Sequence, residues 1–414
     1  MKKTLAMFLL LITSAVAQSV QSPAEIAIAA AQKTIEKKPA QFSGYNMLAI
    51  ALARRARETS DVNFYTQAES ALKKSLELAP GNFEAEKLHV WLLLGRHEFA
   101  AALEAAKPLN KKMPDDVLVY GFITDANVEL GNYDDAEKSA QWMLNLRPGN
   151  LPALTRAAYL RELFGDADGA CELMQMALQG TPPTENEDQA WILNQMAHLY
   201  LVSGKTDEAE TILKQALTLF PGYHYALGNL AKVRIEQKRY SEAIDLLQQR
   251  YQAAPHAENL YDLAAALELA GRTNEAQKMF AEFEQKSLAE TTMADNSNHE
   301  LVFYYADYAN QPAKALEVAQ REYARRHDVF TLDAYAWALH KNGQDAEGRK
   351  QIEVALAVGI RDAKLFRHAG EIALKLGDQK AAANYLQTAA NFNAPGSSEA
   401  RILLVGFTTQ EMQR

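Results

Sequence analysis

Two pairs of polar residues stand out in the middle of this 414-residue chain. Asn194 and His198 are four residues apart, and Asn229 and Lys232 are three apart, so on a helix each pair shares a face. Amide, imidazole and ammonium groups are hydrogen-bonding chemistry of the kind that suits an extended peptide with a polar or carboxylate end. Catalytic arrangements are missing from the sequence. It has no His-Glu-x-x-His, no phosphate loop, no Gly-x-Gly-x-x-Gly and no Gly-x-Ser-x-Gly. The nine histidines lie singly, none four residues from another as a helical metal site requires. Carboxylates are abundant, but Asp134-Asp135 and Asp207-Glu208 fall at helix starts, where they favour the helix dipole. The chemistry points to a binding face in a protein that is not an enzyme and carries no cofactor and no metal.

Composition narrows the partner. Hydrophobic residues make up 48% and charged residues 23%, which is not a disordered composition. The net charge of -9 argues against nucleic acid, whose phosphates need a basic footprint, and against an anionic membrane surface. Residues 1–17 read as a signal peptide: Lys2 and Lys3, an apolar core from Leu5 to Ile12, and Ala15-Val16-Ala17 as a small-x-small cleavage site. Cleavage after Ala17 would take the net charge from -9 to -11 and make the protein periplasmic or secreted. No later segment is apolar enough to span a bilayer. Cys171 is the only cysteine, so no internal disulfide can form, and stability must come from packing.

The packing elements follow from a period. Gly131 and Gly165 are 34 residues apart, as are Ala136 and Ala170, and Pro148 and Pro182. The next marks, Gly204, Ala209 and Pro221, are each displaced by 39, so five residues are inserted near Glu185 to Gln189. Ala243 and Pro255 restore the spacing of 34. Near the C-terminus Gly343 and Gly377 repeat it, with Gly348 and Ala382. The glycine ends a first helix at a position that favours positive φ. The alanine, five residues on, lets a second helix approach closely, and the proline stops that helix. Ala209 is therefore expected to be buried between helices. A single helix pair buries little, so neighbouring pairs must stack.

The run Leu130-Gly131-Asn132-Tyr133-Asp134-Asp135-Ala136, closing at Pro148, resembles the tetratricopeptide repeat, or TPR. So do the unit from Ala190 to Pro221 and the run Leu227-Gly228-Asn229-Leu230-Ala231 leading to Ala243 and Pro255. The resemblance implies an all-α, right-handed α-solenoid of about ten helix pairs with capping helices at both ends. The units begin near Gln41, Phe83, Val117, Leu151, Ala190, His224, Ala257, Asn296, Val329 and Ala363. Residues 18–40 would form an N-terminal capping helix and 41–290 units 1–7. Residues 291–396 would form units 8–10 after a bend, and 397–414 a C-terminal cap or tail. The first unit has an expanded turn around Glu58 to Asn63, and the eighth lacks the turn glycine.

In that family the first helix of each unit lines the concave surface. Carried over, the inward residues include Thr155 and Tyr159, Asn194 and His198, Asn229 and Lys232, and Tyr261 and Asp262. Asn194, Asn229 and Lys232 resemble part of a clamp for a peptide carboxylate, with Gly228 where another side chain is expected and Arg156 a unit away. A second patch comprises Trp337, His340, Lys341, Arg367 and Glu371. The resulting expectation is a non-enzymatic scaffold or adaptor of the cell envelope, binding a protein or peptide on its concave face. The alternative is a structural component of an envelope polysaccharide or secretion machine, touching an assembly partner. A helical-toroid hydrolase is the enzyme reading, and such enzymes lack a 34-residue Gly/Ala/Pro period.

Overall fold

The computed structural model describes residues 22–291, 296, 298–392 and 394–412. The expected signal peptide, residues 1–17, lies outside them, as do residues 18–21 of the expected cap. The described residues form 22 α-helices and one π-helical turn, with no strand among them. Helix α1 (Pro23–Lys37) precedes ten pairs. These are α2 and α3 (Phe42–Thr59, Asn63–Leu78), α4 and α5 (Phe83–Gly95, Phe99–Lys112), α6 and α7 (Val117–Glu129, Tyr133–Leu146), and α8 and α9 (Leu151–Leu163, Ala167–Gly180). Then come α10 and α11 (Asn186–Val202, Thr206–Leu219), α12 and α13 (His224–Glu236, Tyr240–Ala253), and α14 and α15 (Ala257–Leu269, Thr273–Glu290). The last pairs are α16 and α17 (Asn298–Phe303, Pro312–Tyr323), α18 and α19 (Val329–Lys341, Asp345–Ala357), and α20 and α21 (Ala363–Lys375, Gln379–Asn391); α22 (Ser397–Met412) closes the chain. Helix α16 runs on into the π-turn Tyr304–Tyr308.

The pattern of burial explains the pairing. Second helices are amphipathic: α11 buries Ala209, Leu213 and Ala216, one stripe of the helix. Ala209 is 0% exposed, as the period required. First helices are gripped from several sides, so α12 buries Leu227, Gly228, Asn229, Leu230 and Ala231 in succession. The turn inside each pair contains a left-handed residue in all ten units. Six units use glycine, and Ser60, His97, Lys238 and Asn310 take the same conformation without it. Asn82, Asp116, Asn150, Asp328 and Asp362 cap first helices by accepting backbone N–H groups.

The array also touches itself across superhelical turns. The His327 N–H donates to the Glu129 carbonyl (2.8 Å), and the Val329 N–H donates to the Tyr133 hydroxyl (3.1 Å). One buried apolar cluster joins Val128, Leu160 and Leu163 to Val329, Leu332 and Ile360. A Cβ at Gly165 would lie 2.5 Å from the Gly359 carbonyl oxygen, so the backbones meet where only glycine fits. A second seam joins the first unit to the fifth and sixth. Arg54 pairs with Glu185 (3.0 Å), Arg57 with Asp188 (2.7 Å) and with Glu187, and a His224 ring nitrogen lies 3.3 Å from the Arg57 carbonyl.

Candidate functional site

The concave faces of α6, α8 and α10 enclose a cavity of about 590 Å³. Its apolar wall comprises Leu118, Leu151, Pro152, Tyr159, Trp191 and Leu199. Leu118 is 40% exposed, and Tyr159 and Trp191 are half-buried, so these side chains are open to a ligand. Polar groups ring the wall: Arg57 and Arg156 against Asp125, Glu129, Glu162 and Asp188. Each carboxylate already faces a basic group. Asp125 pairs with Arg156 (2.5 Å), Glu162 with His198 (2.7 Å), Asp188 with Arg57 (2.7 Å) and Glu129 with Arg326 (3.3 Å). Burial pushes the Glu129 carboxyl up to about 7, with Asp328 adding to the rise and Arg326 opposing it. Burial and the nearby Glu129 carboxylate likewise hold the Tyr159 phenol well above its ordinary value.

The residues that the resemblance turns inward are placed unequally. Tyr159 and Thr155 line this cavity. Asn194 and Asn229 are buried, and the Asn229 amide donates to the Asn194 carbonyl oxygen (2.9 Å). Their bond ties α10 to α12 and occupies the Asn229 amide N–H and the Asn194 carbonyl oxygen. His198 faces Glu162 across adjacent first helices and belongs to a separate cavity of about 390 Å³ at the seam. Lys232 is exposed on α12. Tyr261 packs against Phe283 and Phe280, with ring centroids 5.4 and 6.0 Å away, and Asp262 pairs with Arg250. Gly228 has its own reason: a Cβ there would lie 3.0 Å from the Arg250 guanidinium carbon. In the second patch Trp337 is 2% exposed, stacks on His368 at 4.0 Å and donates its indole N–H to Asp307 (2.9 Å), so it packs between units.

Leu118, Trp191, Glu129, Asp188 and Arg57 were not among the sequence candidates. The first four lie on first helices, and extending the inward positions along α6 and α10 would have reached them. Arg57 comes from another superhelical turn, which local periodicity does not reveal.

The repeat geometry has a counterpart among known families. The tetratricopeptide-repeat family profile matches residues 188–256, the span of units five and six. Units five and six match the tetratricopeptide repeat. The chain's TPR units resemble those of the TPR repeat-containing protein MJ1428 of Methanocaldococcus jannaschii, 28% identical over 156 residues, which cover 37% of this chain and 26% of that one. The uncharacterized protein ycf37 of Pyropia yezoensis is 34% identical over 89 residues, 22% of this chain and 42% of its own. The chain thus aligns with less than half the length of either curated relative. Among solved structures, human IFIT1 in its dimer with m7Gppp-AAAA superposes with a TM-score of 0.49 at 13% identity, covering 91% of this chain and 96% of that one. Yeast Tom70 superposes at 0.41 and 13% identity, covering 94% and 96%. PilW, described as a widely conserved type IV pilus biogenesis factor, superposes at 0.43 and 15% identity, covering 50% and 94%. TPR arrays are protein-interaction scaffolds, and among the described residues no helix of this one is long and apolar enough to cross a membrane.

Proposed function

We propose that this scaffold binds an extended peptide segment in the concave cavity of its third to fifth units. The observation that carries the reading is the cavity's make-up. Its volume of about 590 Å³ is of ligand-pocket size, with an aromatic and aliphatic wall and an ionic rim. The wall suits one apolar side chain of the peptide, anchored between Leu118, Tyr159 and Trp191. Although each carboxylate has a basic neighbour, four carboxylates against two arginines leave the lining itself acidic, which favours a basic residue beside that anchor. Backbone groups of an extended segment would reach Gln195 and Thr155 along the same face.

The test is capture of peptides from an array by the parent protein and by Thr155→Trp, which fills the cavity, with Lys232→Ala as a comparison outside it. Loss of apolar–basic peptides in Thr155→Trp, with Lys232→Ala unaffected, supports the reading. Unchanged capture by Thr155→Trp removes the cavity from consideration. We further propose that the scaffold works outside the cytoplasm, in the cell envelope or beyond it; residues 1–17 support this. A mature protein whose mass still includes Met1 to Ala17 would contradict it.

A further inference from the structure

Seven first helices, in units two to four, six, seven, nine and ten, are 13 residues long. Two are longer: α2, with 18 residues, and α10, with 17. Both lie where the sequence departs from its period, at the expanded turn after Glu58 and at the insertion near Glu185. In the fold, the two extensions meet. The last turns of α2 present Arg54 and Arg57, and the first turn of α10, with its N-cap Glu185, presents Glu187 and Asp188. Cations at a helix C-terminus and carboxylates at an N-terminus suit both helix dipoles. Glu187 is 1% exposed and accepts from the Tyr223 hydroxyl (3.1 Å), so it is held in place for Arg57. Arg57 and Asp188 also line the concave cavity, so this contact forms one of its walls.

We propose that the two extensions are a latch that closes the first superhelical turn over the cavity, so that opening the latch controls access for the peptide. This latch rests on the cavity as the peptide site, and because its test contains no peptide, failure of the latch and failure of the peptide site are told apart. Arg54, Glu185 and Asp188 keep side-chain exposures of 29%, 37% and 27%, so salt can reach and screen the outer part of the contact while Glu187 stays covered. The latch is thus strong enough to hold and accessible enough to be released.

The experiment places a thiol in the cavity of the full-length chain, Thr155→Cys with Cys171→Ser, and measures labelling by a bulky fluorescein maleimide and by small N-ethylmaleimide. Arg57→Glu should speed bulky labelling by roughly tenfold, the scale expected when charge-assisted hydrogen bonds give way to repulsion. N-ethylmaleimide labelling should change far less, and far-UV circular dichroism should be unchanged. Raised salt should speed labelling of the protein that keeps Arg57. Equal bulky-reagent rates with and without Arg57→Glu, or a parent rate that raised salt leaves unchanged, overturns the latch. Should Arg57→Glu lose helicity, Arg57→Gln is the variant to use, with faster bulky labelling expected and an unchanged rate again overturning the proposal.

Discussion

Replacing Gly348 by alanine sets two effects of opposite sign against each other. The fourth residue of the second helix is alanine in eight units, from Ala102 to Ala382, and each is 0% exposed. In the ninth unit it is Gly348, and a Cβ there would lie 2.8 Å from the Ala336 carbonyl oxygen of the facing helix. Helix propensity alone would make Gly348→Ala stabilising by about 1 kcal/mol. The contact is with backbone, which cannot swing aside, and overpacking of this kind costs about 1–3 kcal/mol. The net expectation is a loss of up to about 2 kcal/mol. Gly180, at the end of α9, has nothing within 4 Å of its would-be Cβ and serves as the control. Gly180→Ala should gain about 0.5 kcal/mol. Urea unfolding followed by far-UV circular dichroism should move the two midpoints in opposite directions. If both variants gain stability by the same amount, α18 and α19 are not as close as described and the reasoning about the small position fails.

Lys238 holds the left-handed turn of the sixth unit at φ 58°, where the other turns of this kind mostly have glycine. Lys238→Gly should therefore stabilise by about 0.5–1 kcal/mol in the same urea assay, and a loss would show that the lysine does something else there. Glu300 is pushed up to about 8 by burial and then by the neighbouring Glu258 carboxylate, from an ordinary 4.5. A raised carboxyl pKa means the folded state holds the proton more tightly, so stability is full below 4.5 and is lost as pH rises through about 8. Glu300→Gln removes that loss, so its melting temperature relative to the parent should climb between these limits; parallel curves across the range would contradict it.

Helix pairs were legible because their marks are local. A turn glycine, a close-approach alanine and a stopping proline each answer a constraint within one unit, so Gly131, Ala136 and Pro148 locate the elements from the sequence alone. Where another residue accepts the same backbone conformation, as Asn310 does, the mark vanishes although the turn remains. The site was read less well. Helical spacing places Asn194 and Asn229 on inward faces, but it is silent on whether two such faces are near enough to bond to each other, as these amides do. Arg57 and Glu187 are 130 residues apart, beyond any local pattern. The sequence did mark their location indirectly, as two breaks in the period.

Those contacts between superhelical turns alter how the chain should fold. An open repeat array gains each unit's stability from its immediate neighbours, so it can begin folding anywhere and its ends fray first. Here Arg57 to Glu187, and Arg326 to Glu129 across 197 residues, link units that are far apart along the chain. Loop-closure entropy must be overcome before these links form, which delays their completion during folding. Once formed, they tie the first unit to the fifth and the third to the eighth, so the array melts less like a zipper and more like a single domain.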